Sequence, residues 1–350
     1  MTVPRIHACA PDAERLLAAE LGRVFPGSAH APRGRGFVES ALSPEDAART
    51  PCVAFALQCL PTPEPVAAPS ISIWAAECAR RIQERLADHA GPWRLHVFCC
   101  EEEGSDARGR RCALIEAETL AVLKAKQRRL LRTRVAEDSR PWADDEAIVQ
   151  IALESSRAGL FSFAGPGERR RLRRVLSRFK GGIVEVEDDP APPSRAYRKL
   201  LEAEARLGVS IGAGEICVDL GAAPGGWTHV ALGRVARVVA VDRSPLRADL
   251  AAHPGLTFVK GDAFKHVPEA KVDWLLSDVV AYPARAIDLL DRWLAARLCR
   301  RFVVTVKFKG EADYPELERL KAILEASGAE FELRRLCNNK NEVTAYGELR

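Results

Sequence analysis

The sequence predicts an α/β fold in which a mostly parallel sheet, covered on both faces by helices, fills the C-terminal half behind smaller α+β domains. Three observations predict it. The apolar run Ile216 to Leu220 feeds the small-residue turn Gly221-Ala222-Ala223-Pro224-Gly225-Gly226 and then a helical pattern that begins near Trp227. Further apolar runs follow, each ending in a polar residue: Val238 to Asp242, Thr257 to Asp262, Val272 to Asp278 and Phe302 to Lys307. Strand and helix patterns alternate throughout this region, which is the signature of parallel strands joined by crossover helices.

Taken in order, the chain opens with a strand at Arg5 to Cys9 and a helix at Asp12 to Val24. A strand near Gly36 to Ser40, a helix near Ser43 to Ala48 and a strand at Cys52 to Gln58 complete a small α+β layer. The proline-rich stretch Leu60 to Pro69 reads as a separator. Beyond it come a helix at Ile73 to His89, a strand at Trp93 to Cys100, a long basic helix from about Ala117 to Arg134 and a strand at Ala147 to Leu153. In Glu168 to Lys180, Leu172, Val175, Leu176 and Phe179 recur at helical spacing, which predicts a helix with one buried face and arginines elsewhere. Acids and prolines at Glu187 to Pro193 oppose helix and sheet, so the main boundary falls there. After the fifth parallel strand a helix is expected at Tyr314 to Ser327. Two final strands, Phe331 to Cys337 and Glu342 to Leu349, are separated only by the polar turn Asn338 to Asn341 and form an antiparallel hairpin.

Net charge is only +4 over 350 residues, so overall composition does not announce a nucleic-acid partner. Local charge is more telling. Lys124, Lys126, Arg128, Arg129 and Arg132 lie in one run without acids, and Arg169, Arg170, Arg173 and Arg174 in another. Such runs attract phosphates through charge and counterion release, which marks both as candidate RNA-binding surfaces. The 10 cysteines include no C-x-x-C pair and no histidine cluster at zinc spacing, so no metal is expected. They read as buried thiols of a reducing compartment. No signal-peptide core and no run of eighteen apolar residues is present, and the expectation is a cytoplasmic monomer without a membrane partner.

The loop after Leu220 is not the dinucleotide pattern G-x-G-x-x-G, which suits a pyrophosphate at a helix N-terminus. Its small residues, Gly221, Ala223, Pro224, Gly225 and Gly226 with Trp227, let the backbone approach a ligand lacking phosphate, as in enzymes that use S-adenosylmethionine. Ligands of open parallel sheets bind beyond the carboxyl ends of the strands. Asp242, ending the second strand, is placed to accept from ribose hydroxyls, and Asp262, after the third, from an adenine amino group. Asp278 and Lys307 end the fourth and fifth.

Together, Ser194 to Leu200, the DLGAAPGGW loop from Asp219, the strand-end Asp242, Asp262 and Asp278, Val306-Lys307 and Asn341 to Thr344 resemble, in order and spacing, the FtsJ family of RNA ribose 2′-O-methyltransferases. The resemblance implies a Rossmann-like domain at 194–350 with S-adenosylmethionine as cofactor, Ser194 and Asp278 among its contacts, and a catalytic tetrad on Lys199, Asp278, Lys307 and Glu342. The front half resembles that of the THUMP-containing branch, which methylates a cytidine ribose in 23S ribosomal RNA. It implies a ferredoxin-like domain at 1–62 and a THUMP-like RNA-binding domain at 70–186. At Asn338 to Asn341 the chain departs from that branch, whose members often carry histidine or arginine there.

Methyl transfer to a ribose hydroxyl needs in-line placement and a base for the departing proton. A lysine serves only as the neutral amine, a form that neighbouring positive charge favours. Lys307 and Lys309 share a strand face, so periodicity does not separate them. Lys307 lies inside the apolar strand while Lys309 precedes Gly310 at its exit, and Lys307 is the expected general base. Asp278 would orient the ammonium and Glu342 would fix Lys199. Transfer or messenger RNA as substrate, or a catalytically silent RNA-binding factor, remain alternatives.

Overall fold

The computed structural model describes residues 2–49, 51–100, 106–137, 140–310, 314–336, 339 and 341–350. The chain folds as two units, Met1–Ile183 and Val184–Arg350.

The first unit opens with β1 (Val3–Ala8), α1 (Glu14–Val24), β2 (Ala29–Pro32), β3 (Phe37–Leu42), α2 (Pro44–Ala48) and β4 (Gln58–Leu60), whose strands form a sheet in the order β2-β3-β1-β4. Helix α1 buries Leu17 and Leu21, together with Glu20. The Glu20 carboxylate accepts from the Ala54 and Phe55 amides at 2.8 and 3.0 Å and so shapes the loop before β4. Helix α2 starts on Ser43, whose hydroxyl accepts from the Asp46 amide, with Pro44 in the first turn.

A second sheet of this unit comprises β5 (Glu64–Ala67), β6 (Trp93–Cys99), β7 (Arg134–Val135), β8 (Ala147–Leu153) and β9 (Ala158–Ala164), in the order β5-β9-β8-β6-β7. With it go α3 (Ile71–Arg85), α4 (Asp106–Lys126) and α5 (Pro166–Arg171). Trp74, Ile82, Trp93, Ile115, Val149 and Phe161 share its core. Ile6, Phe37 and Leu60 of the first sheet pack with Phe98, Ala152 and Leu160 of the second.

Four sequence expectations change here. The strand expected at Cys52 to Gln58 is mostly loop, with Glu20 taking the Ala54 and Phe55 amides, and pairing with β1 runs from Gln58 to Leu60. The proline-rich stretch is not a plain separator, because β5 lies within it and pairs antiparallel with β9. The basic helix ends at Lys126 instead of Arg134: Leu130 is buried, its carbonyl accepts from the Trp93 indole at 2.8 Å, and the chain turns to pair Arg134 with Trp93. The arginine helix stops at Arg171, although Leu172, Val175, Leu176 and Phe179 are all buried as their spacing predicts. Past Arg171 the Val175 and Leu176 amides both turn back to the Leu172 carbonyl, at 2.9 and 2.8 Å, and buried Gln58 then takes up Ser177, donating to its carbonyl at 3.0 Å and accepting from its amide at 2.8 Å.

The second unit begins with the acidic, proline-rich segment, which is laced onto α6 (Tyr197–Leu207): the Asp189 amide donates to the Tyr197 hydroxyl at 2.6 Å and Arg198 pairs with Asp188 at 3.0 Å. There follow β10 (Ile216–Leu220), α7 (Gly226–Gly233), β11 (Arg237–Asp242), α8 (Ala248–Ala251), β12 (Leu256–Lys260), β13 (Val272–Ser277), α9 (Pro283–Ala295), β14 (Cys299–Lys307), α10 (Pro315–Ala326), β15 (Glu330–Arg334) and β16 (Glu342–Glu348). The sheet order is β12-β11-β10-β13-β14-β16-β15. Strands β10 to β14 run parallel, and β16 is antiparallel to both β14 and β15. Cys217, Val238, Trp274, Leu276, Val303 and Tyr346 lie in the core on this sheet. Burial pushes the thiols of Cys78 in the first unit and Cys299 in the second up to about 12, and that of Cys217 upward as well.

Candidate active site

The parallel strands all end at the same edge of the sheet, which gathers their terminal side chains. Strand β13 ends at Ser277, whose hydroxyl donates to the Leu220 carbonyl at 3.0 Å and ties it to the end of β10. Asp278 is the next residue. Lys307 closes β14, and Glu342, opening β16, is its cross-strand partner. Lys199 comes from the first turn of α6, which has a buried face containing Tyr197, Leu200 and Ala203.

The four charged ends meet. Lys199 Nζ donates to both carboxylate oxygens of Asp278 at 2.9 Å and lies 2.8 Å from Glu342 Oε1. Lys307 Nζ donates to the Asp278 main-chain carbonyl at 2.7 Å and stands 3.0 Å from its Oδ1. Two ammonium groups and two carboxylates thus balance in charge, as groups withdrawn from water require. Exposure rises from Lys199 (7%) to Lys307 (24%), so Lys307 is the lysine most open to an incoming molecule.

The turn after β10 is shaped by close approach. Gly221 has φ +79, and a Cβ there would come 2.8 Å from the Val279 side chain. A Cβ on Gly226 would come 2.5 Å from the Ser194 hydroxyl. The Trp227 indole donates to the Ala196 carbonyl at 2.7 Å, joining α7 to the start of α6. Asp242 accepts from the amides of Ala223, inside the turn, and Ser244 at 3.0 and 2.8 Å. Asp262 accepts from the Phe264 amide at 3.0 Å and from Arg243 at 2.7 Å, and these contacts hold its carboxyl below the usual range. The open backbone and the two aspartates fit a nucleoside that carries a cationic, phosphate-free arm.

Sequence reasoning gives Asp219 no task. It is fully buried at the end of β10, with the Thr228 hydroxyl donating to it at 2.7 Å. Burial pushes its carboxyl up to about 7, assisted by the negative charges of Asp278 and Asp242 and opposed by Thr228. Its signal is the acid standing inside an otherwise apolar strand.

The basic candidates belong to the first unit. Lys124, Lys126, Arg128, Arg129, Arg132, Arg170 and Arg173 are exposed, and Arg174 is half-buried. Arg169 must be corrected: it is buried, its guanidinium stacks 4.8 Å from the Trp142 ring, and it donates to the carbonyls of Glu146 and Ala143 at 2.9 and 2.7 Å. An arginine committed to backbone in this way is not a phosphate contact. Among the described residues no three metal-ligating side chains cluster, and no helix is long and apolar enough to cross a membrane.

Residues 192–311 match the model of the FtsJ-like methyltransferase family. Over 270 residues the chain is 32% identical to ribosomal RNA large subunit methyltransferase M of Thauera aminoaromatica, covering 70% of this chain and 71% of that protein. The protein of the same name from Laribacter hongkongensis is 37% identical over 229 residues, covering 62% and 63%. That from Marinomonas sp. is 33% identical over 180 residues, covering 48% and 51%. In the Laribacter and Marinomonas comparisons the chain therefore spans between half and two thirds of the relative's length.

Proposed function

The chain belongs to the ribosomal RNA large subunit methyltransferase M family, and we propose that it methylates the 2′-oxygen of a ribose in ribosomal RNA, a cytidine of the 23S molecule, with S-adenosylmethionine as donor. The observation that carries this reading is the Lys199, Asp278, Lys307 and Glu342 cluster at the strand ends, beside a turn that admits a close, phosphate-free ligand.

When bound, the donor supplies an electrophilic methyl group on a sulfonium. Gly221, Ala223, Pro224, Gly225, Gly226 and Trp227 would line its place, with Ser194 beside Gly226, Asp242 toward its ribose and Asp262 toward its adenine. Lys307, after giving up the proton it carries in the resting ion-paired row, would take the 2′-hydroxyl proton while the new oxygen–carbon bond forms and the donor's carbon–sulfur bond breaks. Asp278 holds Lys307 through both its carbonyl and its carboxylate and so sets the direction of the amine. Lys199 shares that carboxylate and is itself held by Glu342. The exposed lysines and arginines of the first unit would grip RNA phosphates, within a ferredoxin-like layer over 1–62 and a THUMP-like layer over 70–186. The buried thiols fit a reducing cytoplasm.

The test uses purified protein, methyl-labelled S-adenosylmethionine and unmodified 23S ribosomal RNA made by transcription, with transfer and messenger RNA alongside. A 2′-O-methyl group blocks alkaline cleavage of the adjoining phosphodiester, so label in an alkali-resistant dinucleotide from the 23S RNA is the expected result. Label in a base, or only in another RNA, would overturn the assignment.

A further inference from the structure

Tyr282 and Lys309 form a feature that the tetrad does not use. Tyr282 is 60% exposed and Val280 beside it 86% exposed, in the segment between Asp278 and α9. Tyr282 caps that helix through its backbone, its carbonyl accepting from the Arg285 amide at 3.0 Å. With Pro283 in the first turn of the helix, the backbone is stiff while the ring projects into solvent. The Lys309 ammonium sits 3.6 Å from the centre of the ring. A cation on an aromatic face is attracted by the ring quadrupole.

Two chain connections fix this pair beside the reacting groups. Tyr282 follows Asp278 by four residues, and Lys309 follows Lys307 by two, at most about 7 Å of extended chain. Asp278 and Lys307 are themselves in contact. A ribose held at Lys307 therefore carries its base and its phosphate into the space next to an exposed phenol ring and an ammonium. Proteins that read single-stranded RNA stack splayed bases on such rings and neutralise phosphates with such cations.

We propose that Tyr282 is the stacking platform for the base of the target nucleotide and that Lys309 pairs with its phosphate, so that the two residues position the ribose for Lys307. This rests on the ribose-methylation reading and adds to it the means by which the nucleotide is held. Stacking on one ring face tolerates any base but requires the nucleotide to be unpaired, which assigns the substrate class: a ribose in a loop or bulge of the folded RNA, in preference to one within a helix.

The experiment measures initial rates with transcribed 23S ribosomal RNA and labelled donor for the parent, Tyr282→Phe, Tyr282→Leu and Tyr282→Ala, with donor affinity by calorimetry. The ring is exposed, so all three variants should fold, and unchanged melting and donor affinity verify it. From the usual strength of base stacking, kcat/KM for RNA should fall about tenfold or more in the Leu and Ala variants and stay within about twofold of the parent for Phe. Leu matching Phe would show that an aromatic face is not needed, and an unaffected Ala variant that no base rests there. Either result removes the platform while the parent's ribose methylation stands. A parent that methylates no ribose sinks the functional reading itself and the platform with it.

Discussion

Lys307 and Glu342 stand directly opposite each other on β14 and β16, yet their charged ends go to different partners. Lys307 reaches Asp278 and Glu342 reaches Lys199, which also holds Asp278. The result is a row of alternating sign, Glu342, Lys199, Asp278, Lys307, with its buried end on Glu342 and its open end on Lys307. A strand register, the buried face of α6 and one strand terminus together place four groups that are far apart in the chain.

The open end of that row gives the first prediction. Lys307→Ala should bind donor and RNA nearly as the parent does but lose at least about a hundredfold in the methyl-transfer step, the lower range for a general base. Single-turnover rates with pre-bound RNA separate the step from binding. Full single-turnover activity in this variant would remove Lys307 as the base.

Donor binding should depend on Asp242. On the proposed reading, Asp242→Ala would leave ribose hydroxyls without an acceptor and would release the Ala223 amide, so affinity for S-adenosylmethionine should weaken by about 1 to 3 kcal/mol. Calorimetry giving the parent's affinity in a folded variant would place the ribose elsewhere.

The two kinds of arginine in the first unit should behave differently. Neutralising Lys124, Lys126, Arg128 and Arg129 should weaken RNA binding and flatten its salt dependence, by a slope of about one for each phosphate left without its cation. Arg169→Ala should leave that slope alone and instead destabilise the fold by about 1 to 3 kcal/mol, because buried carbonyls lose their donor. Salt titrations of binding and denaturant melts distinguish the outcomes, and a reduced slope in Arg169→Ala would contradict its placement.

Asp219 predicts a pH dependence of stability. Its carboxyl titrates near 3.8 when unperturbed and is raised to about 7 by burial in the folded protein. Between those values the folded state holds a proton that the unfolded state releases, so stability falls as pH rises through the window and the full cost is present above it. That cost is on the order of 4 kcal/mol. Asp219→Asn can still accept from Thr228 and should gain over the parent at about pH 8 while showing no gain at about pH 4. Denaturant unfolding at the two pH values checks it, and a difference that does not change with pH would assign the proton to another group.

The sheet of the second unit was legible because each strand is an apolar run closed by a polar residue, and because the last hairpin has a short polar turn. Expected Val238 to Asp242 and observed Arg237–Asp242 differ by one residue, and the helix expected at Tyr314 to Ser327 is Pro315–Ala326. Strands β2 and β5 were not legible: each has four residues, contains a proline and lies at a sheet edge, where it pairs on one side only. Strand β9 was missed for a related reason, since its identity comes from antiparallel pairing on both sides. At the site, strand ends pointed to Asp242, Asp262, Asp278 and Lys307 from their own surroundings. Lys199 came only through motif order, because nothing local in a helix reports which distant carboxylates it will meet. Arg169 was misread because spacing reveals the face of a helix but not Trp142 waiting beneath it.

The buried thiols of Cys78, Cys217 and Cys299 have a practical consequence. Only the thiolate attacks a disulfide reagent, and burial withholds both the anion and the access, so in the native protein these side chains are silent. Each becomes reactive only when its surroundings open. The rate of modification at Cys78 therefore clocks transient opening around α3 in the first unit, and the rates at Cys217 and Cys299 clock the central strands of the second. The protein thus carries its own chemical probes of local unfolding, one set in each unit, and the order in which they react on warming would rank the two units by opening free energy without any added label.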